Sequence, residues 1–177
     1  MKSTCKLLGA AALAAAAAMA AMPAQAEGLY AGLALGTSSF PNSVNGVTSS
    51  STGVSGKVFG GYQLSQNFAV EGSIANLGHT GNNGSGTVAS HAEGVDAIGL
   101  LPISQNVSLL GSVGLAHINL NTSNGDAAGT ALKFGLGGEL SLASNIALRA
   151  QWERYHTDTF GTNPNVNQFT LGVRFAF

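Results

Sequence analysis

A five-residue pattern occurs three times in this chain: Leu64-Ser65-Gln66-Asn67-Phe68, Ile103-Ser104-Gln105-Asn106-Val107 and Leu142-Ala143-Ser144-Asn145-Ile146, each 39 residues after the one before. A fixed interval of this length signals a repeated supersecondary unit. Each copy is an apolar residue, a three-residue connection ending in Asn, and a second apolar residue. That is the pattern of a tight β-hairpin, whose last loop position favours a residue able to enter the left-handed region. Three such turns belong on one rim of a sheet. Alternating with them are longer segments rich in Ser, Thr, Asn and Gly, at about 39–52, 78–88, 119–130 and 157–165, which read as loops on the opposite rim. Strands then fall at about 28–38, 53–64, 68–77, 88–101, 107–119, 130–142, 146–156 and 166–177.

Within these strands the side chains alternate. In the sixth, Leu132, Phe134, Leu136, Leu140 and Leu142 share one face, and Lys133, Gly135, Gly137, Glu139 and Ser141 the other. The eighth sets Phe169, Leu171, Val173, Phe175 and Phe177 against Gln168, Thr170, Gly172, Arg174 and Ala176, and the first sets Leu29, Ala31, Leu33 and Leu35 against Tyr30, Gly32, Ala34 and Gly36. Glycine mixed with charge on one face suits the crowded interior of a narrow barrel, where side chains must leave room for one another. The apolar face then points outward, into lipid.

The N-terminus supplies the route to a membrane. Lys2 and Lys6 precede an apolar run from Leu7 to Met22 that closes on Pro23-Ala24-Gln25-Ala26, the layout of a secretory signal peptide cleaved after Ala26. Residues 1–26 are therefore expected to be a signal peptide and 27–177 the functional domain. Cys5, the only cysteine, lies in that leader, so the mature chain carries no disulfide, redox motif or thiolate zinc site. Residues 27–177 hold five basic side chains against eight acidic ones, a net of −3, and no basic face for nucleic acid. No later stretch is apolar for long enough to cross a membrane as a helix. A secreted chain of this kind enters a bilayer as a closed barrel. The fold expected is all-β: an eight-stranded antiparallel up-and-down transmembrane β-barrel, with turns facing the periplasm and loops the exterior.

At this point the chain resembles the transmembrane-barrel family of outer membrane protein A and its short relatives. The resemblance is carried by Gly60-Gly61-Tyr62-Gln63-Leu64, Ala69-Val70-Glu71-Gly72 with Leu77-Gly78, Leu101-Pro102-Ile103, Gly137-Gly138-Glu139, Ala147-Leu148-Arg149-Ala150-Gln151-Trp152 and Leu171-Gly172-Val173-Arg174-Phe175-Ala176-Phe177, and spans essentially all of 27–177. It implies that Phe177 acts as the signal read by the outer-membrane insertion machinery. It also implies that Glu71, Glu139 and Arg149 belong to a cluster of charges plugging the barrel. The family's lysine on the fourth strand has no counterpart, since that strand offers Asp96 and Ile98. The sequence ends at Phe177, so the peptidoglycan-binding domain that often follows such barrels, and with it wall anchoring, is not carried over.

The repeated turns allow the plug to be read more closely. Centring the third turn on Ser144 makes opposing residue numbers sum to 288, which sets Glu139 against Arg149, Lys133 against Tyr155, and Gly135 and Gly137 against Glu153 and Gln151. The first hairpin, with a sum of 132, turns Lys57 and Glu71 inward, and the middle one, with a sum of 210, turns Asp96 inward. With Arg174, the expected lumen network is Lys57, Lys133, Arg149 and Arg174 against Glu71, Asp96, Glu139 and Glu153.

Catalytic patterns are weak by comparison. A lipid A deacylase needs a nucleophile beside a His base, and the relevant family uses a His-x-Ser arrangement; His91, His117 and His156 are followed by Ala-Glu, Ile-Asn and Thr-Asp. The middle-hairpin sum pairs Glu93 with His117 on the outer face, which reads as an interfacial polar pair because no nucleophile accompanies it. Scattered histidines give no metal site of recognisable spacing, and Gly135-x-Gly137-Gly138 lies in an alternating strand with no helix to follow, unlike a phosphate loop. Asn83-Gly-Ser, Asn106-Val-Ser and Asn121-Thr-Ser are chance sequons. Tyr62 and Trp152 belong to interfacial aromatic belts. No cofactor is expected. The expected role is envelope integrity or surface interaction in the outer membrane of a Gram-negative bacterium, not catalysis. Its expected partners are outer-membrane lipid and lipopolysaccharide, the insertion machinery and periplasmic chaperones. A narrow pore, or an adhesin acting through its loops, is the alternative.

Overall fold

The computed structural model describes residues 28–39, 43–44, 47–48, 52–81, 87–122, 125–156 and 165–177. Signal peptide and cleavage site lie outside the described residues, as does most of the loop at 157–165. The strands are β1 Leu29–Ser39, the two-residue strands β2 Ser43–Val44 and β3 Val47–Thr48, then β4 Thr52–Gln63, β5 Phe68–Gly81, β6 Thr87–Pro102, β7 Val107–Thr122, β8 Gly125–Ala143, β9 Ile146–His156 and β10 Asn165–Ala176. Eight of them close into an antiparallel barrel in the order β1-β10-β9-β8-β7-β6-β5-β4, while β2 and β3 pair as a separate hairpin between β1 and β4.

All three turn-derived registers are present. Lys57 pairs with Ala75, Glu93 with His117 and Glu139 with Arg149. The turns differ in detail. Ser65 Oγ accepts from the backbone N–H of Asn67 (3.3 Å) and Phe68 (3.2 Å), and Ser104 Oγ from Asn106 (3.4 Å) and Val107 (3.2 Å). The third copy has Ala143 at that position and no hydroxyl to offer. There the loop shortens to Ser144-Asn145, with Ala143 paired to Ile146 and the register slipping by one between Ser141 and Ala143. In every copy the carbonyl of the turn Asn is tied to the strand beyond: Asn67 O accepts from Leu100 N, Asn106 O from Ser141 N and Asn145 O from Ala176 N, at 2.8, 2.8 and 2.9 Å.

The expected loops at 78–88 and 119–130 are largely strand. β5 runs to Gly81 past an irregularity between Asn76 and His79, β6 starts at Thr87, and β7 and β8 are separated only by residues 123–124. The first expected loop, 39–52, contains the β2–β3 hairpin. The reason is height. The nineteen residues of β8 extend about 60 Å at ~3.3 Å each, or about 46 Å along the barrel axis at a strand tilt of ~40°, against an apolar band of ~25 Å. Beyond the band the ladder continues in water, where composition turns polar without the pairing ending.

Sidedness follows the alternation. Leu35, Leu136 and Val95 are 67%, 65% and 62% exposed on the outer wall, while Lys133, Glu71 and Glu153 are fully enclosed. Glycine is what makes the inner wall fit. Across from Tyr30 stands Gly61, across from Phe59 Gly32, and across from Asp96 Gly114; a Cβ at any of these glycines would overlap the large side chain opposite or the backbone beside it.

Candidate functional site: the charged lumen

The eight charged residues expected to face inward do so, from six of the barrel strands: Lys57 on β4, Glu71 on β5, Asp96 on β6, Lys133 and Glu139 on β8, Arg149 and Glu153 on β9, and Arg174 on β10. They form one chain in which sign alternates at every step. Asp96 meets Lys133 at 2.6 Å, Lys133 meets Glu153 at 3.1 Å, Glu153 meets Lys57 at 2.9 Å and Lys57 meets Glu71 at 3.5 Å. Glu71 takes Arg149 Nη1 in a short contact; Arg149 reaches Glu139 through Nη2 at 2.5 Å and Nε at 2.6 Å, and Arg174 closes the series on Glu139 at 3.7 Å. Several of these contacts cross the lumen, since β5 and β9 stand on opposite sides of the ring. Glu139 and Arg149, by contrast, are neighbours in one hairpin.

Neutral groups complete the chain. Tyr30 Oη donates to Glu71 (3.0 Å), Lys57 to Gln151 Oε1 (3.3 Å), Lys133 to Ser73 Oγ (3.3 Å), Gln151 Nε2 to Ser112 Oγ (3.3 Å) and Arg174 to Gln63 Oε1 (2.6 Å). The Arg149 guanidinium lies 4.6 Å from the Phe59 ring centroid, and that of Arg174 lies 4.3 Å from Tyr30. Sequence reasoning turned Tyr30 and Gln151 inward without assigning them a partner. It overlooked Phe59, although the alternation that turns Lys57 inward carries the residue two further along β4 to the same face.

The lumen is not polar throughout, contrary to the reading of a charge-and-glycine face. Leu77, Ile118, Tyr155 and Val166 pack with alanines on the long-loop side of the ionic chain. Tyr30, Phe59, Ile98, Leu100 and Leu110 pack on the turn side. The charges therefore run from the first cluster into the second: Lys133 lies over Tyr155, and Arg149 and Arg174 pack on Phe59 and Tyr30. Buried ions so placed contribute little net stability as pairs, but deletion of one partner strands the other.

On the outer wall, Arg154 Nε donates to Asn167 Oδ1 at 2.8 Å, with its guanidinium 5.3 Å from the Trp152 ring centroid. Tyr62 is also outward and half-exposed. Phe177 follows the last strand, its N–H bonded to Leu29 O at 3.0 Å. Among the described residues no group of three or more His, Cys, Asp or Glu could hold a metal ion.

Comparison places this geometry among known proteins. The sequence profile of the outer membrane protein beta-barrel domain matches residues 8–177. Neisserial surface protein A superposes with a TM-score of 0.72 at 15% identity, over 88% of this chain and 100% of that one. Ail, the attachment invasion locus protein of Yersinia pestis, solved with the heparin analogue sucrose octasulfate, gives 0.61 at 18% identity over 85% and 99%. The outer membrane enzyme PagL gives 0.50 at 6% identity over 82% and 99%. No curated protein matches the sequence. With a profile match over nearly its whole length and a closed eight-stranded barrel, the chain belongs to the outer membrane protein β-barrel family and is a bacterial outer-membrane protein.

Proposed function

We propose that this barrel is a closed structural element of the outer membrane that presents its long loops to the exterior, and not a pore or an enzyme. The observation carrying the reading is the sign-alternating chain from Asp96 to Arg174, which fills the lumen together with the apolar side chains packed beside it. An ion crossing the lumen would have to break charge-assisted contacts in a low-dielectric layer. An eight-stranded interior has little more room than its own side chains fill. A catalytic role is disfavoured by residue chemistry: no His-x-Ser occurs in the sequence, although PagL shares the fold. The same reading assigns cleavage after Ala26, delivery by periplasmic chaperones, recognition of the Phe177 end by the insertion machinery, and outer-membrane lipid and lipopolysaccharide as surroundings.

Planar-bilayer recording tests it. The purified barrel should give no stepwise conductance, and Arg149→Ala should introduce it. Regular open steps from the unaltered protein would establish the narrow-pore alternative.

A further inference from the structure

Residues 27–177 hold five basic side chains, and four of them are locked in the ionic chain. The fifth, Arg154, is exposed on the outer wall. It stands where that wall changes character on three adjacent strands at once. On β9 the outward series changes after Trp152 to Arg154 and His156, on β10 after Phe169 to Asn167 and Asn165, and on β1 after Leu35 to Thr37 and Ser39. These positions are in register, with Arg154 opposite Asn167 and Asn167 opposite Ser39. The polar side of the step is the long-loop side, so it meets the head groups of the exterior leaflet.

The patch is built to donate. Asn167 Oδ1 accepts from Arg154 Nε at 2.8 Å and Asn165 Oδ1 from His156 Nδ1 at 2.7 Å, so both amide oxygens are used within the patch. What remains to face the lipid is the Nη edge of Arg154 and the Nδ2 groups of the two amides, with the hydroxyls of Thr37 and Ser39 beside them. None of these groups has a partner among the described residues. The guanidinium is held over the Trp152 ring, 5.3 Å from its centroid, which fixes the direction in which its free edge points. Among the described residues no Asp or Glu faces outward on β9, β10 or β1; the outward carboxylate Glu93 stands on β6, on the opposite wall. Toward the turns, Leu35, Phe169 and Leu171 are 67%, 53% and 58% exposed and form an apolar wall three strands wide.

We propose that Arg154, Asn167 and Asn165 bind a phosphate of lipid A, the acylated and phosphorylated disaccharide that anchors lipopolysaccharide. The Nη edge of Arg154 matches two phosphate oxygens in a forked pair. The Asn Nδ2 groups donate to the remaining phosphate oxygen and the sugar, the hydroxyls of Thr37 and Ser39 meet sugar oxygens, and acyl chains lie along Leu35, Phe169 and Leu171. A zwitterionic head would bring an ammonium to a patch that offers it no carboxylate. A phosphodiester lipid brings fewer terminal oxygens and less charge than a phosphate monoester. The proposal rests on the reading of the barrel as one whose long loops face the exterior, which sets this patch in the lipopolysaccharide leaflet.

Native mass spectrometry tests it on the folded full-length barrel, released from micelles doped with equal amounts of lipid A, lipid A stripped of its phosphates, and phosphatidylglycerol. The unaltered protein should retain lipid A over each of the other two by about tenfold, the scale of one charge-assisted hydrogen bond. Arg154→Gln should reduce lipid A to the level of the stripped form. Asn167→Leu should lower it with Arg154 still present, by releasing the guanidinium from its anchor. His91→Gln, exposed on β6 away from the patch, should change nothing. All three changes face away from the ionic chain, and heat-modifiable migration on unboiled gels confirms folding. Micelles impose no leaflet, so this result is independent of the conductance that tests the closed barrel. Equal retention of lipid A and its stripped form, phosphatidylglycerol held as well as lipid A, or undiminished lipid A on folded Arg154→Gln would each overturn the assignment.

Discussion

Gly111 and Gly114 lie three residues apart on β7 and answer to different demands. Gly111 faces outward, and a Cβ there would meet nothing within 4 Å. Gly114 faces inward opposite Asp96, where a Cβ would overlap Val95 O and Asp96 Oδ1. Gly114→Ala should therefore destabilise the barrel by about 1–3 kcal/mol, the usual cost of overpacking, and it should also disturb the 2.6 Å contact of Asp96 with Lys133. Gly111→Ala should be neutral or slightly stabilising, because Ala spares backbone entropy in a strand. Urea titration of the two variants refolded in lipid vesicles checks the contrast; equal midpoints would refute it. Legibility at this scale depended on register. Once the third turn set Gly135 against Glu153, the pairing of small with large was readable from sequence. The same complementarity between Gly61 and Tyr30 was hidden, because a long connection separates those strands.

The repeated turns made the hairpins readable, and the differences among the three copies are also physical. Ser65 and Ser104 each bind two backbone N–H groups, whereas Ala143 leaves its turn to tighten to two residues. Ser104→Ala should remove that local anchor at a cost of about 0.5–1.5 kcal/mol, the net worth of a typical hydrogen bond, while Ala143→Ser should change little because the shorter loop has no matching donors in place. Thermal midpoints of the two variants separate the outcomes, and equal effects would show that the hydroxyl plays no part. Strand ends were the least legible element. Thr80, Asn121 and Asp126 read as loop because polarity rises there, yet each lies in a continuing ladder. The hydrophobic signal reports the height of the bilayer, not the length of the strand.

Across the whole molecule, the ionic chain fastens opposite walls of a ring that is otherwise held only by neighbour-to-neighbour ladders. Turn arithmetic could turn each charge inward and could find Glu139 beside Arg149. It could not reveal which pairs cross the lumen, since that depends on closure between β1 and β10 and on side-chain reach. Arg149 is the branch point: it holds Glu71 from the far wall and Glu139 from its own hairpin. Arg149→Ala strands two enclosed carboxylates, one left with Lys57 and Tyr30, the other with Arg174 at 3.7 Å. Loss of one partner from a buried pair typically costs about 3–5 kcal/mol, so the unfolding midpoint of Arg149→Ala should fall well below that of Arg174→Ala, whose guanidinium is more exposed and whose single ionic partner is also held by Arg149. Adding Glu71→Ala to Arg149→Ala should then cost much less than Glu71→Ala alone, because the carboxylate it removes has already lost its cross-lumen cation. Strict additivity of the two, measured by unfolding in vesicles, would show that the charges only solvate the interior and that the walls are not tied through them.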